Sequence, residues 1–191
     1  ISYWPWMKAK YGFSDNQLQP YEYTYGPFII DPKAIMQGYV TIDGYFLARE
    51  KVAAKSLLLA DYGWNAYSAT MDTTQSMIDQ HPDVVQAMVA ATAEGWAEYF
   101  ADPAPANALI KQDNPEMEDG LLAYSTAKMQ ENGILLSGDA EGGKYGIMTR
   151  ANWQSFFNNM VEAGTLPAGL NWEDAFDLRF VQVMYGLRDT D

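Results

Sequence analysis

Aromatic residues and carboxylates, with glycines between them, stand at the ends of three segments that read as strands. These segment ends are Thr24-Tyr25-Gly26, Thr41-Ile42-Asp43-Gly44-Tyr45 and Asp61-Tyr62-Gly63-Trp64, and Tyr67 follows soon after the third. In open α/β sheets, small molecules bind in the crevice beyond the carboxyl ends of the strands. Rings beside a carboxylate suit a flat polar or cationic heterocycle, because they supply stacking surface and a hydrogen-bond acceptor. The same residues could also be loop residues that cap the strands, and both interpretations stay open.

Other residues of reactive type are explained by local structure. His81 precedes Pro82 at a helix start, and no Ser, Cys or carboxylate stands beside it in a triad motif. The glycine-rich segment 138–146 lacks the Gly-Lys-Ser/Thr order of a Walker A loop, so it reads as a surface loop. Three acids begin a helix, where the helix dipole favours negative charge: Glu116, Glu118 and Asp119.

Composition excludes several classes of function. The 191 residues contain 12 Lys and Arg against 25 Asp and Glu, which gives a net charge of −13 and argues against binding to nucleic acid. The chain has no Cys and one His, so disulfides, thiolate nucleophiles and multi-histidine metal sites are not expected. No apolar run is long enough to cross a bilayer. We therefore predict no cofactor, no metal and no catalytic residue.

The elements that would position the three segment ends alternate between helix and strand. Helices are predicted at 2–11, at 32–37 and over the stretch "YFLAREKVA". Strands are predicted at 18–25, 39–43 and 56–63, with one more possible at "NAYSATMD". Such alternation is typical of an α/β sheet.

Helices dominate the chain after Asp72, which is predicted to form a capping box with Gln75. Apolar residues at helical spacing predict helices near 81–103, 104–112, 117–131 and 150–162, with a short helix in "NWEDAFDL" capped by Asn171. The last segment, 179–185, could be a strand or a tail. So few strands cannot cover so many amphipathic helices, which predicts that part of the fold on the N-terminal side is missing.

With these residues in view, the chain resembles the C-terminal portion of an ABC-transporter substrate-binding protein. The group it resembles is the nitrate/sulfonate/taurine type, in the branch that binds thiamine-pyrimidine precursors. The resemblance extends in order over nearly the whole chain. It is carried by "SYWPWMKAKYGF", "PFIIDPKAIMQGYVT", "LLLADYGWNAYSATMDT", "HPDVVQAMVAATAEGWAEYF", "ANALIKQDNPEMEDGLLAYSTAKMQENGI", "SGDA", "GIMTRANWQSFFNNMVEAG" and "AFDLRFV".

The resemblance implies a fold and a division of the chain. It implies an α/β, two-lobed fold like the type II periplasmic binding proteins, with the N-terminal part of the first lobe missing. Residues 1–50 would be the remainder of the second lobe, 51–72 the crossover or hinge strands, and 73–191 the helical part of the first lobe. The helix that begins at Tyr3 and Trp4 would point its N-terminus at the cleft. The predicted ligand-binding residues are Tyr3, Trp4, Tyr25, Asp43, Tyr45, Asp61, Tyr62, Trp64 and Tyr67.

The resemblance also implies that the protein binds and delivers a ligand and does not catalyse a reaction. The protein would be a periplasmic receptor, exported by a signal peptide lost upstream, that delivers a small molecule to an ABC permease in the inner membrane. A thiamine-precursor pyrimidine suits Asp43 and Asp61 better than nitrate or a sulfonate, which needs a basic residue or a helix N-terminus. Many relatives read Thr-x-Glu-Pro-Tyr where this chain has residues 41–45, so the ligand preference could differ.

Two alternatives remain beside the pyrimidine receptor, apart from a truncated product that would bind nothing because half of its cleft is gone. One is an enzyme that resembles a fungal pyrimidine synthase, which consumes its own histidine and needs cysteine-rich iron chemistry. The other is a receptor for nitrate, sulfonate or taurine. A truncated lobe also exposes strand edges and apolar faces, which predicts completion by another chain.

Overall fold

The computed structural model describes residues 2–187, and it builds them from α-helices, short 3₁₀ helices and irregular segments. The 3₁₀ helices are Asp15–Gln17, Leu59–Tyr62, Gly138–Ala140 and Trp172–Ala175. The α-helices are α1 (Tyr3–Tyr11), α2 (Gly26–Ile30), α3 (Asp43–Arg49), α4 (Gln75–Gln80), α5 (Pro82–Ala101), α6 (Ala104–Asp113), α7 (Asp119–Glu131), α8 (Arg150–Glu162) and α9 (Arg179–Tyr185).

The prediction of an α/β, two-lobed fold of the type II periplasmic kind is wrong, because residues 2–187 contain no strand and therefore no sheet. Segment 18–25 is irregular with bends, and 39–43 is a turn that leads into α3. Segment 56–63 contains the 3₁₀ helix Leu59–Tyr62, and 179–185 is α9. Segment 65–72 is irregular. The division of the chain at 50 and 72 stays a prediction, without the strands expected between these points.

Local hydrogen bonds explain why these segments do not form strands. A strand satisfies its backbone groups only by pairing with a neighbour. The N–H groups of Ile42 and Asp43 instead both donate to the Tyr39 carbonyl, at 2.9 and 3.0 Å. In the later segment, the Gly63 N–H donates to the Ala60 carbonyl at 3.0 Å. Turns of this kind pair backbone N–H and C=O groups within the segment. These groups are then not available for hydrogen bonds to a neighbouring strand.

The predicted long helices are confirmed. Helix α1 ends at Gly12, whose φ of 71° is the left-handed conformation that glycine adopts without strain. Helix α5 begins at Pro82, and α8 spans the predicted residues. Two local predictions are wrong. Residues 32–37 are irregular, and Thr74, not Asp72, caps α4 by accepting a hydrogen bond from the Met77 N–H at 3.2 Å.

Two parts of the core lie where helices meet. Helix α1 packs against α8, and there the Trp6 side chain is 4% exposed. Helix α5 packs against α4 and α9, and Val181 of α9 is likewise 4% exposed. None of the helices described between residues 2 and 187 has the length and hydropathy of a membrane span. The α1–α8 junction also holds Trp64, a residue of the predicted site, through its contact with Trp6.

Candidate functional site

A tyrosine and a carboxylate from the first two predicted segment ends meet in the structure. The Tyr25 hydroxyl, just before α2, donates to Asp43 Oδ1 at 2.8 Å, at the first residue of α3. The Tyr39 N–H donates to Asp43 Oδ2. Gly38 leaves room for this carboxylate, since a side chain there would collide with Asp43 Oδ2. The turn that replaced the predicted strand therefore holds the acid in place.

Three aromatic rings belong to the same region as this carboxylate, and Phe46 contacts the other two. The Tyr25 ring stacks with Phe46 at a centroid distance of 6.2 Å and an angle of 29°. The Tyr45 ring also meets Phe46, edge-on at 5.4 Å. We call Tyr25, Asp43, Tyr45 and Phe46 the Asp43 cluster. It combines ring faces with a half-buried carboxylate, which is the arrangement that the sequence predicted for a flat heterocycle.

Helix α7 adds side chains that sequence reasoning missed. The Tyr45 hydroxyl donates to Glu118 Oε2 at 2.9 Å, and Arg49 Nη1 contacts both carboxylate oxygens of Glu118, at 2.7 and 3.0 Å. The pKa of Glu118 is lowered first by the hydrogen bond from Tyr45 and then by that from Arg49. The Tyr124 ring lies 5.9 Å from that of Tyr45 and covers Gly44, where a side chain would collide with the Tyr124 hydroxyl. In the sequence, Glu118 showed only the pattern of an acid at a helix start. Its contact with Arg49, 69 residues away, could therefore not be predicted.

Burial and Asp43 together raise the pKa of Tyr25 to about 12, with burial the larger cause. The unfolded chain holds this phenol near its usual pKa of about 10. Between these values the folded protein binds more protons than the unfolded chain. The stability contributed by this phenol is therefore present below pH ~10 and is lost as the pH rises towards ~12.

Replacing Tyr25 by phenylalanine is expected to flatten this alkaline loss of stability. Urea unfolding midpoints of the parent and Tyr25→Phe, measured from pH ~9 to pH ~12, check this expectation. Tyr23→Phe is the matched control, because the Tyr23 side chain is 89% exposed. Parallel curves for the parent and Tyr25→Phe would show that the raised pKa is not coupled to folding.

The two predicted residues nearest the N-terminus, Tyr3 and Trp4, contact different parts of the chain. The Tyr3 hydroxyl donates to Gln37 Oε1 at 2.9 Å, so it contacts the segment just before Asp43. Burial, and secondly Tyr39, raise the pKa of Tyr3. Trp4 lies elsewhere, stacked on Phe13 at 5.9 Å, with its Nε1 donating to Asp15 Oδ1 at 2.7 Å.

The remaining predicted residues lie outside the Asp43 cluster. Asp61 is exposed in the 3₁₀ helix, and its carboxylate has no hydrogen bond or ion pair within residues 2–187. Tyr62 follows it and is 44% exposed. Trp64 packs between the rings of Trp6 and Phe156, at 5.3 and 5.4 Å.

Tyr67 belongs to a separate hydrogen-bonded group at the start of α8. Its hydroxyl donates to Asp139 Oδ2 and accepts from the Thr149 N–H at 2.9 Å. The Thr149 hydroxyl also donates to Asp139 Oδ2, at 3.0 Å, and caps α8 by accepting from the Asn152 N–H. Of the three predicted segment ends, the structure thus brings the first two together. No group of three metal-ligating side chains capable of holding an ion occurs between residues 2 and 187.

Comparison with known protein families identifies the chain. The family described as NMT1/THI5 like matches residues 7–106, which is more than half of the 191 residues. The chain belongs to the NMT1/THI5-like family. This confirms the resemblance to the nitrate/sulfonate/taurine-type substrate-binding group and its thiamine-pyrimidine branch. The match includes the Asp43 cluster, but Tyr3 and Trp4 precede it. No curated protein and no solved structure matches the chain.

Family membership implies a general role. NMT1/THI5-like proteins are mostly solute-binding proteins rather than enzymes, and they serve ABC importers. Membership therefore implies a small-molecule ligand and an ABC permease as partners. Substrate-binding proteins of this type are typically periplasmic. Completion of the fold by another chain stays a prediction.

Proposed function

We propose that this protein is a periplasmic receptor that captures a thiamine-precursor pyrimidine and delivers it to an ABC permease. The observation that carries the proposal is the Asp43 cluster, in which Tyr25 and Asp43 are joined by a 2.8 Å hydrogen bond beside Phe46. Family membership supports a solute-binding role, and the cluster supports the class of solute. Of the other residues predicted from the sequence, Tyr3, Trp4, Tyr62, Trp64 and Tyr67 remain candidates for ligand contact, whereas Asp61 is not expected to contribute.

The chemistry of Asp43 suits an aminopyrimidine. A carboxylate has about four lone-pair sites. Tyr25 and Tyr39 each donate to one oxygen of Asp43, so both oxygens keep acceptor capacity. The amino group of a pyrimidine is a hydrogen-bond donor, and its ring can stack on Phe46 or Tyr45. A bound aminopyrimidine would thus use both features of the cluster.

Anionic ligands fit this cluster poorly. The nearby cation is Arg49, and its guanidinium already contacts both oxygens of Glu118. Glu118 and Asp43 place two carboxylates around the rings, and the chain as a whole carries a charge of −13. Nitrate and sulfonates would meet electrostatic repulsion here. This argument favours the pyrimidine over the nitrate, sulfonate or taurine alternative.

A synthase-like enzyme is the weaker alternative. It would need a histidine to consume and cysteines for iron chemistry, and the chain has one His and no Cys. His81 is the residue between α4 and α5, where it serves as the N-cap of α5. It therefore lies at a helix junction and not in the Asp43 cluster.

Thermal unfolding in the presence of candidate ligands tests the proposal. A ligand at one hundred times its Kd stabilises a protein by about 2.7 kcal/mol, which for this chain length is a rise in Tm of about 5–10 °C. We expect this rise with an amino-hydroxymethylpyrimidine and not with nitrate or taurine. Asp113→Asn, a change at an exposed carboxylate, should leave the rise intact. A rise with nitrate or taurine alone, or turnover of the pyrimidine, would overturn the proposal.

A further inference from the structure

A hollow lies between α1 and α8, and none of the residues that line it belongs to the Asp43 cluster. Its volume is about 190 Å³. At about 30 Å³ per water molecule, this is the volume of about six waters, which matches a ligand with a short carbon chain. The hollow is lined by Trp6, Ala9, Lys10, Gly63, Asn159 and Glu162.

Opposite charges line this hollow without pairing. Lys10 Nζ donates to the Tyr62 carbonyl and lies over the rings of Trp6 and Tyr11, at 5.1 and 5.5 Å from their centroids. An ammonium has three donors, so Lys10 keeps donors for a ligand. The Glu162 carboxylate is exposed and has no ion pair or hydrogen bond within the described part of the chain. Both charged groups are therefore available to a bound molecule.

The floor of the hollow is aromatic and fixed in place. The Trp6 side chain is 4% exposed and packs against Trp64 at 5.3 Å. Gly63 has a φ of +98°, and a side chain there would lie 3.1 Å from Lys10 Nζ. The glycine thus lets the lysine approach the chain and keeps the hollow open. Asn159 Nδ2 donates to the Gly63 carbonyl at 3.4 Å, which ties α8 to the same segment.

We propose that this hollow binds a small amine–acid zwitterion of the free amino acid type. Its carboxylate would contact Lys10, its ammonium would contact Glu162, and its carbon chain would lie over Trp6. A zwitterion contacts both charged groups at once, whereas an amine or an acid alone contacts only one of them. The site is separate from the Asp43 cluster and does not depend on the proposed receptor function.

Titration of the labelled protein with γ-aminobutyrate tests the site, with the indole N–H signals of Trp6 and Trp64 followed by NMR. We expect both signals to shift in a saturable way, and butyrate or butylamine to bind more weakly by about two- to fivefold, because each loses one exposed ion pair. Lys10→Gln and Glu162→Gln should each weaken γ-aminobutyrate binding by about two- to fivefold, for the same reason. Lys55→Gln and Glu94→Gln, at exposed positions, are the matched controls.

Three results would overturn this inference. They are equal binding of butyrate and γ-aminobutyrate, unchanged binding in Glu162→Gln, and indole signals that do not respond to the zwitterion. Glu162 is exposed, so its replacement should not disturb folding, and circular dichroism of each variant checks that. Asp43→Asn should leave the indole shifts unchanged, which separates a failure at this hollow from a failure of the pyrimidine site.

Discussion

Trp6→Ala is expected to lower the free energy of unfolding by about 3–5 kcal/mol, the usual range when a large buried aromatic side chain is deleted. The Trp6 side chain is 4% exposed at the junction of α1 and α8. Its ring meets Tyr11 edge-on at 5.9 Å and Trp64 at 5.3 Å. Alanine would leave a cavity that these rigid rings cannot fill. Urea unfolding followed by circular dichroism measures the loss.

Trp96→Ala is the matched control for this deletion. Trp96 also packs against aromatic neighbours, Tyr99 and Phe100, but its side chain is 37% exposed. The same number of atoms is removed, while less apolar surface loses its burial. We expect a loss no larger than about half that of Trp6→Ala. Equal losses would mean that the burial of Trp6 at the α1–α8 junction does not determine the size of the effect.

Asp43→Asn is expected to weaken aminopyrimidine binding by about 2 kcal/mol, or about thirtyfold in Kd. Asparagine keeps the shape, and its one oxygen can still accept the hydrogen bond from Tyr25, but it removes the negative charge and the acceptor of the Tyr39 N–H. The loss of affinity therefore measures the contribution of the charged acceptor and not that of the aromatic rings in the Asp43 cluster. Isothermal titration of the parent and the variant with an amino-hydroxymethylpyrimidine measures the difference.

Asp61→Asn provides the sharpest control for Asp43. The sequence placed both acids in the ligand site, at the ends of two neighbouring segments. The structure leaves the Asp61 carboxylate exposed and without a partner between residues 2 and 187, so no hydrogen bond or ion pair joins it to the Asp43 cluster. We expect Asp61→Asn to bind like the parent. A loss in Asp61→Asn with none in Asp43→Asn would move the site to the other segment.

The long helices were predictable because their apolar residues recur over many turns. Helix α5 has 20 residues and α8 has 13, so several turns of each repeat the same pattern. The predicted strands have only five to eight residues, and so short a pattern fits a turn or a short helix equally well. Segment 179–185, for instance, buries Phe180, Val181 and Gln182 in succession, as a helix against α5.

Part of the candidate site was predictable from residue types alone. Tyr25, Asp43 and Tyr45 stand close in sequence, and a turn brings them together even without a sheet. The contribution of α7 was not predictable, because Glu118 and Tyr124 are separated from Tyr45 by more than seventy residues. Such pairings depend on how helices pack and leave no local pattern in the sequence.

Nuclear Overhauser effects between a bound aminopyrimidine and the protein's Tyr and Phe rings test the central claim most directly. The saturated complex of amino-hydroxymethylpyrimidine with ring-labelled protein is the sample. The Asp43 cluster predicts contacts from the pyrimidine protons to Phe46 and to Tyr25 or Tyr45. Contacts confined to rings elsewhere, such as Phe156 or Phe100, would contradict the account.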